Sequence, residues 1–128
     1  MSFTTLLAIG SGGFIGAVLR AYLNGLISHR VPHDLPFGTL GVNLIGSFIM
    51  GVLVAYFMYT TYFSLHVKSF LSTGILGALT TYSTFAIESV MLLTGGHIAL
   101  AAANIGLNAL GTVLMAGGGY RLASALLR

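Results

Sequence analysis

Cysteine and tryptophan are missing from this 128-residue chain, and charge is scarce, with two acidic and five basic side chains. Each shortage excludes something. Without cysteine there is no disulfide framework, and the redox compartment stays open. Charged residues make up 5% of the chain, where a soluble domain carries about 25%, so water cannot surround it. The net charge of +3 is too small for a nucleic-acid footprint. No nucleophile–base pair or metal-ligand cluster stands out, which argues against an enzyme.

What the chain has in abundance is apolar surface: 56% of its residues are hydrophobic. With so little charge, this composition reads as an integral membrane protein, a single four-helix transmembrane domain over residues 1–128. Met1-Ser2-Phe3-Thr4-Thr5 lacks the basic flank of a signal peptide and reads as the start of the first span. Four segments are long enough to cross a core of about 30 Å: Phe3–Ile27, Phe37–Tyr59, Val67–Leu93 and Ile98–Leu127.

The third segment organises the others. Gly74-Ile75-Leu76-Gly77-Ala78-Leu79-Thr80-Thr81-Tyr82-Ser83-Thr84-Phe85 places glycines and hydroxyl residues halfway across. Glycine and threonine are poor helix formers, and irregular backbone at that depth is tolerated only against protein or a watery cavity. The expectation is a helix broken near Thr80, lining an ion site.

The other spans carry neutral polar residues at helical spacing. Thr39, Asn43 and Ser47 lie four apart, as do Asn104, Asn108 and Thr112, so each set shares a helix face. Such rows can glue helices together or form a track of donors for an ion. Two facing rows point toward a track. Gly12/Gly16 and Gly13/Ala17 allow close helix packing. Ile15 stands where a dinucleotide fingerprint needs its third glycine.

Three charged or titratable features have two readings each. Arg20 inside the first span is a functional candidate or a snorkelling side chain. Glu88 is a proton or cation site or a structural carboxylate. His29 and His33, read as part of a loop from Ser28 to Pro36, could pair on a metal only if helical, and Pro32 argues against a helix there. Lys68, Arg121 and Arg128 mark one side of the membrane, Arg20 and Arg30 the other. This weak bias predicts insertion in both orientations and pairing of inverted copies, which is the symmetry of many transport proteins.

The stretches Gly12 to Arg20, Gly38 to Phe48 and Gly74 to Phe85, in this order, resemble the CrcB/Fluc family of fluoride channels. The resemblance implies an antiparallel, dual-topology homodimer in the bacterial inner membrane, letting fluoride leave the cell and so lowering its toxicity. It implies pore residues Asn43, Tyr82, Ser83, Phe85, Asn108 and Thr112, with Arg20 at the vestibule. It also implies a structural sodium ion held by the backbone carbonyls of Gly77 and Thr80. The chain departs from the family pattern at Tyr82, usually phenylalanine, at Asn108, usually a hydroxyl residue, and at Asn104, often tyrosine.

The chemistry suits a small, strongly hydrated anion. Amide and hydroxyl donors can replace water, aromatic edges carry positive partial charge, and the absence of a cation in the narrow part permits release. The rival is a small dual-topology proton-coupled multidrug exporter. It wants an acid in the first span, where this chain has none, leaving Glu88 as its only candidate.

Overall fold

A computed structural model describes all residues, Met1–Arg128. It is all-helical, with four helices long and apolar enough to cross a membrane. The first two are α1, Phe3–Arg30, and α2, Phe37–Tyr59. The third span, Leu65–Thr94, is divided into α3 (residues 65–79) and α4 (Tyr82–Thr94). The last is α5, Ile98–Leu127.

α1 runs three residues past the expected end at Ile27, so Ser28, His29 and Arg30 are helical and the loop begins at Val31. Pro32 sets that limit, because the residue before a proline is pushed out of helical conformation. Val31 accordingly has φ −126° and ψ 70°. His29 and Arg30 fill the last turn, where positive charge suits the helix dipole. His33 turns back on its own loop, accepting from the Leu35 N–H through Nδ1 at 2.9 Å.

The third span starts at Leu65, two residues before the expected Val67. Ser64 caps it, its Oγ accepting from the Val67 N–H at 3.3 Å. From Phe70 to Leu76 the helix widens to a π-helical turn, and the Gly77 N–H reaches Ser72 O, five residues back. A second π turn lies at Leu107–Gly111 in α5. After α4 the chain reverses in the expected tight loop, with φ +83° at Gly96. The Gly96 N–H bonds to Leu93 O and the His97 N–H to Leu92 O, at 3.1 and 2.9 Å, closing the helix in a Schellman arrangement.

Helix packing is backbone against backbone. Gly12 and Gly16 are buried where α1 crosses the widened part of α3, so close that an added Cβ would overlap Phe70 O and Ile75 O. Gly13 has open space around it, so within one protomer only Gly12 and Gly16 serve this contact. One residue along a helix is a turn of about 100°, which rotates Gly13 off the contact. α2 packs most extensively on the C-terminal part of α5, where Gly51 meets Ala116 O and Gly119 meets Phe48 O.

Only 25 residues are buried in the protomer, and eight of them are polar: Thr5, Thr39, Asn43, Thr81, Ser89, Asn104, Asn108 and Ser124. The large apolar side chains, among them Phe14, Leu110 and Leu114, are mostly on the outside. That inversion suits a hydrocarbon surround, where helices associate through packing and hydrogen bonds rather than through burial of apolar surface.

Candidate functional site

The helix break falls at Thr80 and Thr81, whose backbones are extended (φ −82°, ψ 151° and φ −145°, ψ 108°). Two side chains hold it. Asn43 on α2 pairs with Thr81 as one peptide unit pairs with another: its Oδ1 accepts the Thr81 N–H at 2.7 Å, and its Nδ2 donates to Thr81 O at 3.2 Å. Thr81 then caps α4, its Oγ1 accepting from the Thr84 N–H at 3.3 Å.

These two bonds free two carbonyls. In an unbroken helix the Thr81 N–H would close onto Gly77 O and the Thr84 N–H onto Thr80 O. Both amides are turned elsewhere, and no hydrogen bond to either oxygen replaces them. Gly77 is exposed on the protomer surface and Thr80 half-buried. The donor set fits a hard cation, which favours such oxygens, and two oxygens leave room for more ligands from outside the protomer.

From Asn43 a chain of amides runs to α5 and back to α4. Asn43 Nδ2 donates to Asn108 Oδ1 at 2.9 Å. Asn108 Nδ2 donates to Asn104 O and Oδ1 at 2.9 and 3.0 Å. Asn104 Nδ2 donates to Ser89 Oγ at 2.9 Å, and Ser89 Oγ donates to Phe85 O at 2.8 Å. Thr112 returns its hydroxyl to Asn108 O at 2.5 Å. The expected polar rows on the second and fourth spans therefore meet, and their amides bond to each other.

A cavity of about 320 Å³ opens beside this network. Asn43, Ser47, Thr80, Thr81, Asn108 and Thr112 form its polar wall, and Tyr82, Phe85 and Ala109 complete it. Tyr82 and Phe85 meet edge to face, ring centroids 5.1 Å apart at 80°. Phe85 is 8% exposed and Tyr82 81%, so the pair reaches from the core to the protomer surface. Asn43 has both N–H groups engaged, while the Ser47 and Tyr82 hydroxyls have no partner within the protomer.

Of the expected pore residues, Asn43, Tyr82, Phe85, Asn108 and Thr112 come together here. Ser83 does not: it is exposed and outside the cavity, a quarter-turn from Tyr82 on α4. Arg20 is half-buried on α1, also outside it. Glu88 accepts from the Thr39 hydroxyl at 2.7 Å, and Asn24 Nδ2 reaches Thr39 Oγ1 at 3.4 Å. Ser89, Thr81 and Asn24 were not singled out as site residues in the sequence. The partners of Ser89 and Asn24 lie 15 positions away, across a helical hairpin, where no periodicity reaches.

Comparison with known proteins gives the family. A family model described as CrcB-like protein, Camphor Resistance (CrcB), matches residues 7–120. A protein of Sulfurimonas denitrificans named fluoride-specific ion channel FluC is 77% identical over 128 residues, covering 100% of this chain and 99% of the relative. One of the same name from Nautilia profundicola is 48% identical over the whole of both chains. Another, from Campylobacter fetus, is 45% identical over 115 residues, 89% of each. With four apolar helices of membrane length around a broken third span, this multi-pass membrane protein belongs to the CrcB family.

Proposed function

We propose that the chain is a fluoride-selective channel of the bacterial inner membrane, the activity its relatives' names state, which lets fluoride leave the cell. The observation that carries this reading is the cavity beside the helix break: neutral donors and two aromatic rings line it, and no charged side chain does. Asn43, Asn108 and Thr112 build the wall. Their donors are engaged within the protein, with Thr81, Asn104 and Asn108 as acceptors, so they shape the path, and the free hydroxyls of Ser47 and Tyr82 are the groups ready to replace water around an anion. The edges of Tyr82 and Phe85 add positive partial charge without a trapping cation.

The functional unit in this reading is an antiparallel homodimer of two oppositely inserted copies. Exposed Tyr82 and exposed Gly77 are the features that suit a second copy. A sodium ion at its centre would be held by the Gly77 and Thr80 carbonyls of both copies, locking the breaks together. Glu88, the acid the exporter reading would depend on, is tied to Thr39 midway along α4, outside the cavity at the break.

Fluoride efflux from proteoliposomes, with chloride as the control, tests the activity. Rapid fluoride release with no chloride release is the expected result, and equal release of both, or of neither, overturns it. The chain has no native cysteine, so one introduced at Ser64 reports orientation. Labelling of about half the sites from either side of sealed vesicles is expected, and one-sided labelling overturns dual topology.

A further inference from the structure

A second polar feature lies at the far end of α5, away from the cavity. A groove of about 500 Å³ is lined by Tyr120, Arg121, Ser124, Ala125 and Arg128. Arg121, Ser124, Ala125 and Arg128 follow at i, i+3, i+4 and i+7, so they form one stripe. Arg128 also reaches α2: its Nη2 donates to the Tyr59 hydroxyl at 2.6 Å, and its guanidinium lies 5.3 Å from the centre of the Tyr59 ring. Four of its five N–H donors remain. Arg121 makes no hydrogen bond.

Ser124 is the second, independent observation. It is 5% exposed, and its Oγ is buried near the Tyr59 hydroxyl without a hydrogen bond of good geometry to it or to any other group. A buried hydroxyl without a partner costs about 1–3 kcal/mol. Serine in a helix usually relieves this by bonding to the carbonyl one turn back, as Ser11, Ser72 and Ser89 do here. Ser124 does not, and it lines the groove between the two arginines. No acidic side chain balances them: the chain's two acids, Asp34 and Glu88, line a separate groove at the opposite end of the helices.

We propose that this groove binds the phosphate headgroup of an anionic phospholipid. The arginines would take the phosphate oxygens in fork geometry, and rotation of the Ser124 side chain would bring its hydroxyl, inaccessible as it stands, out to complete the set. The location selects a lipid over a free anion, because the stripe closes a membrane-length helix. Tyr59 and Tyr120 flank it at the level where tyrosines mark the membrane–water boundary. Exposed Leu122 and Leu126 on the same turns of α5 offer a surface for the acyl chains.

The test is native mass spectrometry of the detergent-purified full chain titrated with phosphatidylglycerol, phosphatidylcholine or inorganic phosphate. Phosphatidylglycerol is expected to bind at least tenfold more tightly than phosphatidylcholine. The preference should drop roughly 10- to 30-fold in Arg121→Gln/Arg128→Gln, as expected for removal of two basic groups from an anionic surface. Arg121→Gln alone, which breaks no bond in the fold, should lower it about fivefold. Ser124→Ala should weaken phosphatidylglycerol without changing phosphatidylcholine. Equal binding of the two lipids, or an unchanged preference in Arg121→Gln, overturns the site. Displacement of the lipid by millimolar inorganic phosphate overturns the lipid as its occupant.

Discussion

The side-chain amide of Asn43 and the backbone of Thr81 bond to each other in both directions, at 2.7 and 3.2 Å. The α2 helix thereby satisfies the main chain at the point where the third span stops being helical. Without that pair, two buried backbone groups would be left unpaired, at about 1–3 kcal/mol each. The break is thus a joint between two spans rather than a local weakness of one.

Replacing Asn43 by aspartate keeps the acceptor for the Thr81 N–H and removes the donors to Thr81 O and Asn108 Oδ1. It also sets a negative charge beside the proposed anion path. Fluoride efflux from liposomes should fall at least tenfold, a barrier increase of about 1.4 kcal/mol or more. Efflux equal to or faster than that of the unmodified chain would remove Asn43 from the path.

Phe85→Ile swaps a ring edge for an aliphatic branch of smaller volume. The helical circular-dichroism signal should be retained and fluoride flux lost or sharply reduced. A folded variant with normal flux would show that the Tyr82–Phe85 pair has no part in conduction.

Thr81→Ala deletes the cap of α4, which is worth about 1 kcal/mol, and leaves the Thr84 N–H free to close onto Thr80 O. Thr81→Ser keeps the cap. The alanine variant should melt several degrees lower and the serine variant close to the unmodified protein, read by thermal unfolding in detergent. Equal melting of the two would mean that the hydroxyl does not hold the break.

Gly16→Ala and Gly25→Ala make the same chemical change on one helix. At Gly16 the new methyl overlaps Ile75 O, a backbone atom; at Gly25 nothing lies within 4 Å. Overpacking costs about 1–3 kcal/mol, whereas alanine in an open helical position gains up to about 1 kcal/mol. Denaturant or thermal unfolding should therefore move in opposite directions, and a shared direction would count against the α1–α3 contact.

Much of this was legible beforehand. The break could be read because glycine and threonine cluster in the middle of an apolar run, where helix has no local support. The Asn104, Asn108 and Thr112 row could be read because spacing by four survives any packing. The start of α3 and the end of α1 could not be placed as closely, since hydropathy does not see caps; Ser64 and Pro32 set those limits. Nor could the π turns at Phe70–Leu76 and Leu107–Gly111 be read. A single surplus residue leaves hydropathy unchanged and alters only the direction in which later side chains face. Ser83, next in sequence to Tyr82, is turned away from the cavity of its own protomer, because neighbours in sequence lie about 100° apart on a helix.

The π turn in α5 has a consequence for the chain's tolerance of insertions and deletions. It holds one residue more than the rise of the helix requires, and each residue of an α-helix is worth about 100° of rotation. Removing any one residue between Leu107 and Gly111 could restore a regular helix at little local cost. The wider turn takes up the rotation of its extra residue, so everything downstream would keep its facing, Gly119 on Phe48 and Arg128 on Tyr59, whereas the same deletion in the regular helix beyond it would swing those residues by about 100°. The widened turn is thus the one place in the last span where length is negotiable, and the turns after it hold a phase that a deletion would break.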